Sequence, residues 1–204
     1  MGGTRGHWED TYTARSETAV SWYQPHSTRS LELIDAASPD HKASVIDAGG
    51  GASSLIGDLL AQGYADLTVL DISQMALQRA KARLGKSADK VEWIADDLTR
   101  WMPGRTWDIW HDRAVFHFLT ERTQQDGYIA ALTAATRPGA TVIMSTFAAD
   151  GPEMCSGLRV QRYAPTTLAD RLGRSFALTG QASEMHKTPS GAQQHFIYAV
   201  LKRL

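Results

Sequence analysis

Short apolar runs alternate with helical segments through most of this chain. Ser44–Asp47, Leu67–Asp71 and Val91–Ala95 have the length and composition of buried strands. The stretch after Ser53 and the segment Gln74–Leu84 read as the helices between them. This rhythm predicts right-handed crossovers and a parallel sheet. Ahead of it, Trp8 to Ile34 carries helical patterning rich in aromatics: Trp8, Tyr12, Trp22 and Tyr23. Pro39-Asp40 marks the connection. Near the end, Phe176–Ser183 and Gln194–Leu201 have no strong helical segment between them. They read as two strands joined by the Thr188-Pro189-Ser190-Gly191 turn. Ala149–Arg162, with its glycine and proline, reads as an insert.

Composition narrows the class. A chain of 204 residues suits one α/β domain with a sizeable core, and 43% hydrophobic residues is ordinary for a globular protein. The formal net charge of −1 gives no field toward nucleic acid. No apolar run is long enough to span a bilayer, and the polar, aromatic N-terminus lacks a signal-peptide pattern. One cysteine, Cys155, excludes an internal disulfide framework and points to a reducing cytoplasm. No zinc-type ligand spacing occurs, so no metal is expected.

The chemistry concentrates at Val45-Ile46-Asp47-Ala48-Gly49-Gly50-Gly51-Ala52-Ser53-Ser54. It reads as a strand, a glycine loop and a helix start. The glycines let the backbone approach a ligand. Asp71 ends the next apolar run roughly twenty residues on, as in nucleoside-binding α/β folds, where such an acid accepts from the ribose hydroxyls. A dinucleotide fingerprint fits less well. Ser54 stands at its third glycine position, and Asp47 just before the loop would repel a pyrophosphate. A carboxylate there suits a cationic ligand.

The loop Asp47-Ala48-Gly49-Gly50-Gly51 resembles motif I of class I S-adenosylmethionine-dependent methyltransferases, with Ser53 at the family's usual third glycine. The resemblance runs from about His7 to the end of the chain. Asp71-Ile72-Ser73 with Met75-Ala76-Leu77 is similar to the ribose-binding acid and its helix. Val91 to Leu98 is similar to the third strand and the adenine-binding acid. Trp107 to Arg113 is similar to the fourth strand, and Val115-Phe116-His117-Phe118-Leu119 to the family's apolar-His-apolar helix start. Arg137-Pro138-Gly139-Ala140 before Thr141–Ser145 is similar to its turn into the fifth strand. The resemblance implies a Rossmann-like α/β fold, with a seven-stranded, mostly parallel sheet, an antiparallel closing strand and helices on both faces. It implies one methyltransferase domain over 1–204: cap helices over 1–40, a cofactor core over 41–148, and the insert and closing strands over 149–204.

It also implies roles. Asp47, Ala48, Gly49 and Gly51 would hold the methionine end of S-adenosylmethionine, with S-adenosylhomocysteine as product. Asp71, Ile72 and Met75 would serve the ribose. Asp97 would take the adenine amino group and the Leu98 N–H a ring nitrogen, with Asp96 as the rival acid. Arg113 would meet the methionine portion or act as an ion-pair partner, and Asp112-Arg113-Ala114 resembles the Asp-Arg-Gly stretch of thiopurine S-methyltransferases. Tyr12 and Trp22, with Trp8 and Tyr23, would close over the cofactor or serve as helix-packing core. His117, Asp112 and Arg113 are the catalytic candidates, with His186 and His195 as further bases. Cys155, Arg159 and Arg162 lie in the insert, as functional groups or as ordinary loop residues.

The expected activity is methyl transfer to a small-molecule thiol, carboxylate or amine, by a monomer or weak homodimer, with no nucleic-acid or membrane partner. Protein lysine methylation is the alternative acceptor class. A NAD-linked oxidoreductase and a non-catalytic cofactor-binding module are the rivals from other classes.

Overall fold

The computed structural model describes residues 4–204. Two helices come first, α1 (Arg5–Ala14) and α2 (Thr28–Ala37). The helical stretch expected from Trp8 to Ile34 is therefore broken. Residues 15–27 are turns and bends around a 3-10 turn at Glu17–Ala19. Pro25 cannot donate to a helical ladder, and this segment's aromatics pack as an open strap. Then follow β1 (Val45–Ala48), α3 (Leu55–Gln62), β2 (Leu67–Asp71), α4 (Gln74–Leu84), β3 (Val91–Ala95) and β4 (Trp107–Arg113). The rest is α5 (Arg122–Ala135), β5 (Thr136–Phe147), β6 (Met154–Cys155), β7 (Leu158–Arg159), α6 (Pro165–Leu172), β8 (Phe176–Lys187) and β9 (Gln193–Arg203).

Local chemistry sets several boundaries. Gly63 ends α3 at φ 98°, a conformation that costs glycine little. The Ser73 side chain caps α4 by accepting from the Ala76 N–H. Pro165 opens α6, where a missing N–H leaves no helical bond unmade.

Seven strands form one sheet in the order β3-β2-β1-β4-β5-β9-β8. The first five run parallel; β9 is antiparallel to both β5 and β8, so it alone runs against the rest. Alternate residues of each strand feed opposite faces. Ile46, Trp110 and Val142 pack with Tyr128 and Leu132 of α5 and Leu168 of α6. Val45, Ile109 and Ile143 pack with Ile34 of α2 and Leu55 and Leu59 of α3. Helices therefore cover both faces, as doubly wound sheets require.

Two further details go beyond the expectation or depart from it. The Val115–Leu119 segment is a single 3-10 turn, Phe116–Phe118, and the helix starts at Arg122. Asp112 accounts for this, because its carboxylate accepts from the Val115 and Phe116 N–H groups at 2.8 and 3.1 Å and ties the turn back onto β4. The insert is not a plain loop: β6 and β7 form a small hairpin. Its turn, Ser156-Gly157, has φ of 49° and 77°, the primed-turn geometry that matches strand twist.

Candidate functional site

β1 sits where the strand order reverses, with β2 and β3 on one side and β4 and β5 on the other. The carboxyl ends of strands at such a point frame a crevice. A cavity of about 280 Å³ lies there, between Gly49, Asp71 and Leu98 on the sheet side and Trp8, Tyr12 and Trp22 above. Arg113, Cys155 and Phe196 line its other end. A smaller cavity of about 50 Å³ adjoins it behind the glycine loop; Asp47 and His111 line it, and it shares Gly49, Tyr12, Trp22 and Arg113 with the first.

The glycine loop is tight for steric reasons. Gly49 and Gly51 have φ of 73° and 46°. A Cβ at Gly49 would run into the Val115 side chain, and one at Gly50 into the Asp47 carboxylate. At Gly51 it would lie 2.8 Å from Asp71 Oδ2 and 2.9 Å from the Tyr12 hydroxyl, so the chain's own groups fill that space. Asp47 is buried. Its Oδ1 is 2.7 Å from His111 Nδ1, while its Oδ2 is buried without a partner among the described residues.

Asp71 is 6% exposed, and its Oδ1 accepts from the Ser73 N–H at 2.8 Å. Burial pushes its carboxyl up to about 7, and the charges of Asp47 and Glu9 add to that. Ile72, Asp96, Asp97 and Leu98 line the cavity beside it. Asp97 accepts from the Thr99 hydroxyl and amide at 2.7 and 3.0 Å and pairs with Arg100. Burial raises its pKa, but these bonds outweigh it and hold the carboxyl below the ordinary range. Asp96 accepts from the Asp97 N–H at 2.7 Å.

The aromatic roof has two supports. Trp8 and Trp22 pack edge to face at 5.9 Å, as do Tyr12 and Trp22 at 6.1 Å. Glu9 ties α1 to α4, accepting from the Ser73 hydroxyl and from the N–H groups of Gln74 and Met75 at 2.8 to 3.1 Å. Tyr23 lines only the smaller cavity.

Several expected site residues lie elsewhere. His117 was expected at the pocket mouth as a base; it is fully buried among Phe118 and Phe147 and lines neither cavity. Burial, helped by Arg113, pushes its pKa down to about 3, so the imidazole stays neutral. Asp112 is also fully buried. Tyr128 donates to it at 2.5 Å besides the two backbone N–H groups, which makes it a turn anchor; burial pushes it up to about 6. His186 is buried against the Ser21 carbonyl, and His195 pairs with exposed Asp150 away from the cavity. Ala48 and Met75 line neither cavity: Ala48 is core, and Met75 contributes its N–H to Glu9. Arg162 pairs with Glu153, and Arg159 lines neither cavity.

Arg113 does reach the cavity. It donates to the Trp22 carbonyl at 3.2 Å and the Tyr198 hydroxyl at 3.3 Å and lies 4.5 Å from the centre of the Phe196 ring. Its Nη2 makes no hydrogen bond among the described residues but lies 3.8 Å from Glu184 Oε2, so Arg113 is also the ion-pair partner that the sequence left open. Cys155 also faces the cavity, with burial pushing its thiol up to about 11. Phe196, His111 and Gly50 were not singled out from the sequence. The register could have pointed to His111, because it pairs directly across β4 from Asp47.

Among the described residues, no group of three or more His, Cys, Asp or Glu could hold a metal ion. No described helix is long and apolar enough to cross a membrane.

Residues 45–139 match a family model described as a methyltransferase domain. A mouse (Mus musculus) protein, the eEF1A lysine and N-terminal methyltransferase, is 30% identical over 98 residues, which is 48% of this chain and 14% of that protein. Nodulation protein S of Bradyrhizobium diazoefficiens is 26% identical over 148 residues, covering 70% of this chain and 68% of its own length. This chain thus spans only a small part of the first relative and about two thirds of the second. Among solved structures, the N-methyltransferase NodS from Bradyrhizobium japonicum in complex with S-adenosyl-L-homocysteine superposes with a TM-score of 0.74. It is 14% identical, with 98% of this chain and 99% of that one covered. That likeness speaks to the fold.

Proposed function

We infer that the chain is a class I S-adenosylmethionine-dependent methyltransferase, a reading supported by the match of residues 45–139 to a methyltransferase-domain model and by the likeness to Nodulation protein S. Its reaction, on this reading, is transfer of a methyl group from S-adenosylmethionine to a small molecule bearing a thiol, carboxylate or amine.

One observation carries the cofactor assignment. The crevice holds two buried carboxylates, and one oxygen, Asp47 Oδ2, has no partner. A buried unpaired carboxylate oxygen is costly unless a ligand completes it. An α-ammonium group fits Asp47, and ribose hydroxyls fit Asp71, whose carboxyl is pushed up by burial and by the neighbouring carboxylates. The closed glycine loop between them brings the backbone near both. On this reading Asp96, Asp97 and the Leu98 N–H take the adenine, and Arg113 takes the carboxylate of the methionine end. When bound, the cofactor supplies a methyl group on a positively charged sulfur.

The chain's residues then position and shield. Trp8, Tyr12 and Trp22 close the site from water, and their ring faces favour a nearby cation. Every histidine considered as a base lies off the cavity, which leaves proton removal to the acceptor itself. That favours nucleophiles with an available lone pair near neutral pH: a thiolate, a carboxylate or an uncharged amine. Alignment and water exclusion are then the main contributions of the protein.

Titration calorimetry with S-adenosylhomocysteine, with NAD in parallel, tests this reading. Micromolar binding of the first alone supports it, and binding of NAD alone overturns it. An acceptor screen, thiols first, follows with S-adenosylmethionine. Lysine in a protein is the second reading, carried by the likeness to the mouse relative. Methylation of protein substrates with no turnover of small acceptors would favour it.

A further inference from the structure

We propose that His111, backed by Ser30, is a positioning residue that aims the Asp47 carboxylate at the amino group of the cofactor. The proposal rests on the cofactor reading above. Asp47 and His111 are direct partners across parallel strands β1 and β4. Their side chains leave the same face of the sheet, and α2 covers that face. Ser30 on α2 is fully buried, with its hydroxyl 2.8 Å from His111 Nε2. On the other side of the ring, Nδ1 lies 2.7 Å from Asp47 Oδ1.

A carboxylate oxygen can only accept, so Nδ1 carries the proton toward Asp47. Nε2 of a neutral ring is then an acceptor, and the Ser30 hydroxyl donates to it. The chain of donors runs one way: Ser30 to His111 to Asp47. It fixes the ring tautomer and orientation, as an outer hydrogen bond does for a metal-bound histidine. It also occupies Oδ1 alone. Oδ2 stays buried without a partner, pressed against the backbone at Gly50, where a Cβ would collide with it. This leaves one carboxylate oxygen, at a fixed angle, for a cation arriving at the glycine loop.

His111 lines the smaller cavity at the loop, but both its ring nitrogens are taken by Asp47 and Ser30, so its polar effect on the ligand passes through the Asp47 carboxylate. A structural residue would affect all ligands alike; this one should affect only those with an amino group.

The test compares two ligands by calorimetry. S-adenosylhomocysteine has the amino-acid end, whereas 5′-methylthioadenosine keeps the nucleoside and sulfur without it. In His111→Phe, the affinity for S-adenosylhomocysteine should fall at least tenfold, and that for 5′-methylthioadenosine should change less than twofold. His111→Asn, whose amide can donate near the Nδ1 position, should recover much of the loss. Ser30→Ala keeps the ring and should cost about threefold on the first ligand only, which provides a readout if His111→Phe does not fold. Equal losses on both ligands, or no loss on either, would overturn the proposal. Wild-type protein that binds 5′-methylthioadenosine but not S-adenosylhomocysteine would overturn the Asp47 assignment and this proposal together.

Discussion

At the scale of single residues, the site is set by buried carboxylates and by glycines short of room. Asp71 shows the first. Its folded pKa of about 7 lies above the unfolded value of about 3.9. Between those values the folded protein holds the extra proton, so the contribution of Asp71 to stability falls as pH rises through that window. Asp112, pushed up to about 6, acts in the same direction. Asp71→Asn should therefore stabilise the ligand-free protein at pH 8 relative to pH 5, as read by urea unfolding at both. It should also weaken S-adenosylhomocysteine binding by on the order of 1.5–3 kcal/mol, since a charge-assisted contact is lost. A variant with wild-type affinity would reject the ribose assignment. Gly49 shows the second. Gly49→Ala meets both a left-handed φ and the Val115 side chain, and should cost about 2–4 kcal/mol. Gly63→Ala has the φ penalty alone and open space around it, so about 1 kcal/mol is expected. Denaturant midpoints of the two variants check the ranking.

At the scale of elements, α1 depends on one acid. Glu9 caps α4 from outside, where three donors and the positive helix end meet its carboxylate. Burial raises its pKa, but those donors outweigh it and hold the carboxyl below the ordinary range. The contact is thus present above the unfolded pKa and lost as pH falls through the folded one. Glu9→Ala should cost about 1 kcal/mol. It should also raise amide exchange in residues 5–14 more than in the sheet; uniform exchange would show that α1 is held by its aromatics alone. Elements of this kind explain what the sequence made legible. Strands β1 and β2 are buried runs with clear ends, and they were readable together with the glycine loop and Asp71; β3 is only partly buried, and β4, rich in charged residues, was legible through the family resemblance. The break after α1 was not, because aromatic residues pack equally well on a helix or a strap. The hairpin β6–β7 was hidden by its shortness, although Ser156-Gly157 carried its turn. Burial was the hardest feature to read. His117 and Asp112 have the composition of a catalytic pair, and only tertiary packing turns them inward. His111 escaped notice because its role depends on cross-strand register.

At the scale of the whole molecule, the parallel strands share one functional end. Ligand binding there should stabilise the entire domain by mass action. At a hundredfold excess over Kd, S-adenosylhomocysteine should add about 2.7 kcal/mol and raise the melting temperature by roughly 5–10 °C for a chain of this size. NAD at equal concentration should leave it unchanged. A matching shift from both would mean that the crevice recognises only the shared adenosine. The pH dependence of Asp71 predicts that the gain is larger at pH 8 than at pH 6, because the ionised carboxylate is the better acceptor for ribose hydroxyls.

The six tryptophans divide unevenly about this end. Trp8 and Trp22 stand over the cavity, while Trp101, Trp107 and Trp110 are sealed in the core and Trp93 donates to the Ala88 carbonyl. The protein therefore carries its own optical gauge of occupancy. Light emitted by two indoles should change in colour and intensity as the cavity fills, over a steady background from the other four. Trp22→Phe should dim that signal without moving the background, and the gauge would report occupancy in real time with no dye attached.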